Sequence, residues 1–198
     1  MRKSERPPLW KVWWTAARPH TLTASLCPCL VSFATDRPRN LLVWIIFCLT
    51  VQIGTNLHND YSDFVQGADD DKRVGQARAT AQGWLTPFET CAAATTTLSI
   101  TLCSGVYLAH LTHQWDNLLY WILVISSVFN AFAYTAGPYP LGYIGLGNCS
   151  IAYFGVADIF VFVYFGLVAT WMPVFLEYLQ GVSVDWNPIY GIQVGLLA

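Results

Sequence analysis

The sequence has 198 residues, of which 55% are hydrophobic and 15% aromatic, but only 11% are charged. Because a soluble domain carries roughly a quarter charged residues, this composition is typical of a protein that lies in a lipid bilayer. The net charge is −2 and no lysine or arginine follows Arg78, which excludes a basic nucleic-acid-binding surface.

Long uncharged stretches predict successive membrane-spanning helices. Residues 1–12 are predicted to be a polar arm, and the tryptophans beside Lys11 indicate an anchor at the membrane interface. Spans are then expected at residues 21–35, 41–59, 90–109, 117–136 and 159–176, and a sixth apolar segment begins at Ile189. The predicted fold class is an all-α, polytopic transmembrane helical bundle, with residues 1–198 in a single domain.

The distribution of lysine and arginine predicts the orientation of these spans. With a cytoplasmic N-terminus, eight of the ten basic residues lie on the cytoplasmic side, and only Arg37 and Arg39 lie on the other. This excess is the usual signature of the cytoplasmic face. It puts the hydrophilic loop at residues 60–87 and the glycine- and proline-rich stretch at residues 137–150 on the same side.

One stretch near the end of the second predicted span gathers polar side chains on one helix face. Gln52, Asn56, Asn59, Asp60 and Asp63 follow the i, i+4, i+7, i+8 and i+11 spacing of such a face. Since lipid cannot solvate these groups, they are expected to face a protein interior or a wet cavity. The sequence therefore predicts a site here, with Asn56 in its substrate pocket.

The oxygen atoms at this site suit Mg²⁺, which usually combines one or two carboxylates with substrate phosphates. Asn59 and Asp63, one helical turn apart, can present two oxygens to one ion, and Asp60 can add a third or support them. Asp69 can reach the same ion if the following loop folds back. The alternative is a solvated helix end that binds no metal.

The hydrophilic loop that follows adds basic side chains. Lys72, Arg73 and Arg78 are candidates for binding a diphosphate, and the same residues also supply the expected positive charge on the cytoplasmic side. Gln82, which precedes a glycine, suits a loop whose backbone lies close to a bound substrate. Both interpretations of the basic residues stay open.

Tyr134 and Tyr139 flank the start of the glycine- and proline-rich stretch. Their aromatic faces can stabilise an allylic cation by cation–π contact, so both are candidates for the substrate pocket. Packing or interfacial anchoring is the competing interpretation, since single tyrosines near a membrane surface serve equally well as anchors.

Four stretches together resemble the UbiA superfamily of intramembrane aromatic prenyltransferases, most closely its 1,4-dihydroxy-2-naphthoate branch. They are ARPHTL at residues 17–22, QIGTNLHNDYSDFVQGAD at 52–69, RVGQARATAQGWLTP at 73–87 and YTAGPYPLGYIGLG at 134–147. Asn59, Asp60 and Asp63 correspond to the first metal–diphosphate motif of that superfamily. The GPYPLGYxGLG motif is specific to the naphthoate branch.

The resemblance implies an enzyme of a bacterial cytoplasmic membrane. Mg²⁺ on Asn59 and Asp63 would bind the diphosphate of a polyprenyl diphosphate, with Arg73 and Arg78 sharing its charge. The polyprenyl group would be transferred to 1,4-dihydroxy-2-naphthoate with loss of CO₂, giving a demethylmenaquinone. The family fold has about nine transmembrane helices, so this sequence, with about five and the start of a sixth, corresponds to its N-terminal part.

The sequence departs from the family pattern in two respects. Asn148 follows GLG, where the family usually has an acidic residue, and Asp158, ten residues later, is a candidate replacement. The second aspartate-rich motif of the superfamily is expected just beyond the last residue of this sequence.

Other functions remain open at this stage. Phytyl transfer to the same acceptor is an alternative within the branch, and a non-catalytic membrane scaffold is one outside it. A transporter would use Gln52, Asn56, Asn59 and Asp63 to line an ion path. The acids cluster at the end of a predicted span rather than at its middle, and this position favours the enzyme.

Overall fold

The structure is a computed structural model that describes residues 6–67, 77–133 and 156–197. All regular secondary structure in these three ranges is helical, and the protein is a helical membrane bundle, as its composition predicts. The helices are α1 (Leu9–Ala17), α2 (Leu22–Thr35), α3 (Leu41–Val65), α4 (Pro87–Thr112), α5 (Leu118–Ala133), α6 (Val156–Val161), α7 (Ala169–Leu179) and α8 (Pro188–Leu197). A short 3₁₀ helix at Pro19–Thr21 joins α1 to α2, and a π-helical segment at Phe162–Val168 joins α6 to α7.

Three helical stretches are long and apolar enough to cross a membrane, namely Leu41–Val65, Pro87–Thr112 and Ile159–Leu179. They correspond to the second, third and fifth predicted spans. α5 and α8 are shorter apolar helices, and α2 has 14 residues. Each predicted span thus contains a helix in the part that the structure describes.

The chain becomes helical earlier than the sequence predicts. α1 begins at Leu9, so the predicted polar arm is wrong from this residue onward. Val12 and Ala16 are buried against α3 and the segment before α4, whereas Trp10 and Trp14 on the other face are exposed. This amphipathic pattern gives α1 a buried side, which stabilises a short helix that would be marginal alone.

α3 also continues further than predicted. The hydrophilic loop was expected to begin at Asp60, but α3 ends at Val65. Asp60 and Asp63 are buried by the segment before α4, so their polarity does not require the helix to end at Asn59. Protein rather than water surrounds these two carboxylates, although Phe64 and Val65 at the very end of α3 are exposed.

α3 and α4 form the central antiparallel pair. A Cβ atom on Gly54 of α3 would lie 2.6 Å from Leu98 Cδ2 of α4, so the two backbones approach closely at this glycine. Thr101 Oγ1 donates a hydrogen bond of 2.9 Å to Thr50 Oγ1 across the same interface. Small residues and hydroxyl pairs of this kind are the usual contacts between helices in lipid.

The start of α7 is attached to α3 through a carbonyl that a proline leaves free. Pro173 has no N–H group, so it cannot donate to the carbonyl of Ala169 four residues earlier. Trp44 Nε1 donates to this oxygen instead, at 2.9 Å. The bond satisfies a buried carbonyl and fixes α7 against α3.

At the other end of the bundle, two carboxylates hold the turn between α2 and α3. The backbone N–H of Arg39 donates to Glu177 Oε1 at 2.8 Å, and that of Asp185 donates to Asp36 Oδ1 at 2.6 Å. Glu177 is buried near the end of α7. These bonds join the α2–α3 turn to α7 and the segment after it.

The π-helical segment lies against α8 at glycines. A Cβ atom on Gly166 would lie 2.6 Å from Gly195 Cα and 2.7 Å from the carbonyl oxygen of Gly191. Both neighbours are backbone atoms, which cannot rotate away as a side chain can. Gly166 is therefore required for α8 to pack at this distance.

Replacing Gly166 with alanine is expected to destabilise the protein by about 1–3 kcal/mol, because the added methyl group overpacks the contact with α8. The midpoint of thermal unfolding in detergent measures this loss. Ser99→Ala, on the exposed side of α4, is the control and should leave the midpoint unchanged. Equal midpoints for the two variants would contradict the close approach.

Candidate active site

The polar face predicted on α3 is present and divides into two parts. Gln52, Asn56 and Asn59 line a cavity between the helices, whereas Asp60 and Asp63 are turned into protein, with 1% and 2% of their surface exposed. Buried carboxylates are rare unless they are paired or hydrogen-bonded. The partners of the two acids therefore define what this end of α3 can do.

Asp63 forms an ion pair with Arg78, in which Arg78 Nη2 donates to Asp63 Oδ2. Both side chains are buried. Arg78 lies in the segment that leads into α4, so the pair closes the chain between two central helices. It brings together a carboxylate and a guanidinium, which are the charges needed to bind a metal ion and a phosphate group, respectively.

Asp60 supports the backbone that carries Arg78. The N–H group of Thr80 donates to Asp60 Oδ2 at 3.4 Å, and the Thr80 and Thr90 hydroxyls lie 2.8 Å apart. Thr90 is in the first turn of α4, which begins with a capping box between Thr86 and Glu89. The loop after Arg78 is thus fixed at both ends, and the guanidinium is held in one place.

Asn56 attaches α3 to the connection between α1 and α2. Its side-chain amide donates 2.9 Å hydrogen bonds to the carbonyl of Ala17 and to Thr21 Oγ1, and it accepts one of 3.3 Å from Gln52. These bonds satisfy amide groups that lipid cannot solvate. Asn56 also lines the cavity, and its amide N–H groups are engaged by protein.

The cavity has a volume of about 300 Å³ and lies between α2, α3, α5 and the π-helical segment. Its wall is mostly apolar and aromatic, and none of the described residues that line it is charged. The lining residues on α3 are Trp44, Phe47, Cys48, Val51, Gln52, Thr55, Asn56 and Asn59. The other elements contribute Ser25, Ser127, Asn130, Ala131, Phe160, Val161, Tyr164, Phe165, Val168 and Ala169.

The structure brings together some of the predicted site residues and separates others. Asn59, half-buried, is in the cavity wall one helical turn from Asp63. Gln82, predicted for the pocket, lies on an exposed turn and is not part of this wall. The predictions for Asp69, Lys72, Arg73, Tyr134 and Tyr139 lie outside the described residues, as does the side chain of Asp158.

Sequence reasoning missed several residues of the cavity, notably Ser25, Asn130 and Tyr164. Asn130 carries a recognisable signal, because a lone carboxamide inside an apolar helix is expected to face a protein interior. Ser25 carries none, since a serine in an apolar helix commonly bonds to a carbonyl of its own helix. Tyr164 reaches α5 and donates a 2.9 Å hydrogen bond to Ser126.

Among the described residues, no three His, Cys, Asp or Glu side chains come together to hold a metal ion. At the end of the cavity nearest Arg78, the oxygen donors include the Asp63 carboxylate and the Asn59 amide. Hard oxygen donors of this type suit Mg²⁺, which keeps free positions for water or phosphate oxygens. The residues present therefore fit a magnesium ion that shares its coordination with a phosphorylated ligand.

Fold and site together define a helical membrane protein with a buried acid–base pair beside an apolar cavity. The chain is similar to 1,4-dihydroxy-2-naphthoate octaprenyltransferase of Mycobacterium tuberculosis, at 31% identity over 182 residues covering 88% of this chain and 56% of that protein. The protein of this name from Haemophilus influenzae is 31% identical over 199 residues, covering 95% of the chain and 60% of its own length. The one from Bacillus subtilis is 32% identical over 152 residues, with coverages of 73% and 47%.

These similarities confirm the resemblance to the UbiA-type prenyltransferases that the motifs indicate. The chain spans less than two thirds of the length of each of these relatives. Their names favour neither phytyl transfer nor transport. No protein-family model matches the chain, and no solved structure does.

Removing either partner of the buried ion pair is expected to destabilise the fold by about 3–5 kcal/mol, because the other charge is left without compensation. Arg78→Met and Asp63→Asn are the single variants, and the double variant removes both charges. The double variant should lose less stability than the two single losses added together. Additive losses, measured by unfolding in detergent, would show that the two charges do not interact.

Proposed function

We propose that this protein takes part in the Mg²⁺-dependent transfer of a polyprenyl group from polyprenyl diphosphate to 1,4-dihydroxy-2-naphthoate. The observation that carries the proposal is the position of the Asp63–Arg78 pair at the end of the α3 face that lines the cavity. A substrate with an anionic head and an apolar tail matches a site that is charged at one end and apolar along the cavity. The names of the relatives indicate a prenyl group and a naphthoate acceptor.

Asn59 and Asp63 are the proposed ligands of the metal. When bound, Mg²⁺ neutralises charge on the diphosphate and makes it a better leaving group. Arg78 is held beside them and is proposed to bind diphosphate oxygens, sharing the negative charge that develops as the carbon–oxygen bond breaks. Asp60 keeps the Arg78 segment in place through Thr80. Asp69, Lys72 and Arg73 remain predicted members of the same site.

The reaction breaks the carbon–oxygen bond of the donor, and the electron pair leaves with the diphosphate. A ring carbon of the acceptor forms the new carbon–carbon bond, and the acceptor carboxylate leaves as CO₂, giving a demethylmenaquinone. The apolar wall keeps water from the allylic cation, and Phe160 and Phe165 offer it aromatic faces. Tyr134 and Tyr139 remain candidates for the same role.

The transfer reaction in detergent or lipid, with labelled polyprenyl diphosphate, 1,4-dihydroxy-2-naphthoate and Mg²⁺, tests the proposal. Asn59→Ala and Asp63→Ala should each lower the rate by about 100-fold or more, because they remove charge-stabilising groups. Asp116→Ala, an exposed acid in the α4–α5 loop, is the control and should keep full activity. Chelation of Mg²⁺ should abolish both turnover and donor binding.

Thermal unfolding of each variant separates loss of function from loss of fold. Asn59→Ala leaves the Asp63–Arg78 pair intact, so a folded but inactive Asn59→Ala protein would support the assignment. If the unsubstituted protein forms no product and shows no Mg²⁺-dependent binding of polyprenyl diphosphate, the proposal is overturned.

The proposed location is the bacterial cytoplasmic membrane, with the N-terminus and the Asp63–Arg78 site on the cytoplasmic side. The excess of basic residues at this end supports the orientation. In a background without native cysteines, Gln82→Cys should react with a membrane-impermeant maleimide only after the cells are permeabilised. Asp185→Cys, exposed at the other end, should react in intact cells; the reverse pattern would overturn the orientation.

A further inference from the structure

The cavity changes character along the α3 face that lines it. Trp44, Phe47 and Cys48 form its apolar end, and Asn56 and Asn59 its polar end beside the Asp63–Arg78 pair. From Trp44 to Asn59 the helix rises by about 22 Å at about 1.5 Å per residue. The cavity is therefore long and graded, and groups in its middle section lie away from the charged site.

Ser25 of α2 lies in this middle section. Thr21, one turn earlier in α2, bonds to Gln52 and Asn56, and Cys29, one turn later, contacts Cys48. Because α2 and α3 run in opposite directions, Ser25 lies near the level of Gln52. That level is about 10 Å from Asn59 along the helix axis.

The Ser25 hydroxyl is buried without a hydrogen bond in the part of the chain that the structure describes. Only 1% of the residue is exposed, and Oγ has no partner. The other hydroxyl-bearing residues between 21 and 35 all donate to a carbonyl, and they are Thr21, Thr23, Ser32 and Thr35. Burial of a hydroxyl without a partner is unfavourable, so Ser25 is a strong candidate to bind a ligand in this cavity.

Asn130 of α5 provides a second polar side chain in the cavity wall. It is half-buried, and its amide makes no hydrogen bond to any described residue. Its neighbours on the same helix do bond to protein: Ser127 donates to the carbonyl of Leu123 at 2.7 Å, and Ser126 accepts from Tyr164. Asn130 thus offers both donors and acceptors to the cavity.

The surroundings of these two side chains select the class of ligand. The described lining contains aromatic and aliphatic groups and neutral polar atoms but no charge, which suits hydroxyl groups on an apolar ring. An isoprenoid chain alone has no polar atom to pair with Ser25. A volume of about 300 Å³ is at the lower end for small-molecule sites and suits a bicyclic ring with the start of a chain.

We propose that Ser25 and Asn130 bind the ring hydroxyl groups of a dihydroxylated bicyclic aromatic acceptor. The two side chains orient the ring between α2 and α5, below the diphosphate site. This inference rests on the proposed function, since prenyl transfer supplies the acceptor. It adds two binding residues that lie outside the metal–diphosphate motif.

Binding of 1,4-dihydroxy-2-naphthoate to the full chain, without donor, tests the proposal directly. Ser25→Ala and Asn130→Ala should each raise its Kd by about five- to tenfold, the effect of one lost neutral hydrogen bond. The Kd of 2-naphthoate, which lacks both hydroxyl groups, should not change. In the transfer reaction the variants should raise KM for the acceptor and leave KM for polyprenyl diphosphate as it was.

Ser32→Ala is the matched control on the same helix. Ser32 is buried and donates to the carbonyls of Pro28 and Thr170, and it is not in the cavity wall. Its loss should lower the unfolding midpoint and leave both Kd values unchanged. Ser25→Ala should not lower the midpoint, because its hydroxyl has no bond to lose and its unpaired burial is itself a cost.

The possible results separate this inference from the proposed function. If the unsubstituted protein binds 1,4-dihydroxy-2-naphthoate and the Ser25 and Asn130 variants bind it equally well, the inference is wrong and the proposed function stands. If the variants raise the Kd of 1,4-dihydroxy-2-naphthoate and of 2-naphthoate by the same factor, the inference is also overturned, because the hydroxyl groups would then not be the contact. No binding of the acceptor by the unsubstituted protein would overturn both.

Discussion

The ion pair between Asp63 and Arg78 is the interaction on which the polar end of this bundle depends. Hydrocarbon cannot solvate either charge, and each is stable at this depth only because the other is beside it. The pair connects the end of α3 with the segment leading to α4. Thr80 and Thr90 extend the connection to the first turn of α4, so one polar network holds the two central helices at this end.

The same requirement explains the use of polar groups elsewhere in the bundle. Asn56 donates hydrogen bonds to the carbonyl of Ala17 at the end of α1 and to the hydroxyl of Thr21 before α2. Trp44 donates one to the carbonyl that Pro173 leaves free. At the opposite end, Glu177 accepts a hydrogen bond from the backbone N–H of Arg39 in the α2–α3 turn. These polar groups hold helices together, whereas Ser25 and Asn130 face the cavity without such bonds. The difference separates structural polar groups from those proposed to bind a ligand.

A reaction that creates charge in a membrane needs charged groups at one end of its site and an apolar wall along the rest. The charged groups lie at one end, where the proposed function would bring a diphosphate and a metal ion to Arg78, and the described lining of the cavity beyond Asn59 is neutral. A carbocation formed at the boundary would meet aromatic faces rather than water. The division follows the α3 helix, whose lining face changes from tryptophan and phenylalanine to carboxamides within about four turns.

The helical class, the approximate positions of the apolar helices and the polar face of α3 could all be predicted from the amino-acid sequence, because hydrophobic length and helical spacing are local properties. Which polar side chains form hydrogen bonds or ion pairs, and with which partners, depends on the tertiary packing. It paired Asp63 with Arg78, turned Asp60 towards Thr80, made a helix of residues 9–12 and brought Ser25 and Asn130 to one cavity. Whether a polar side chain is satisfied depends on groups distant in the chain, and spacing within one helix cannot supply that information.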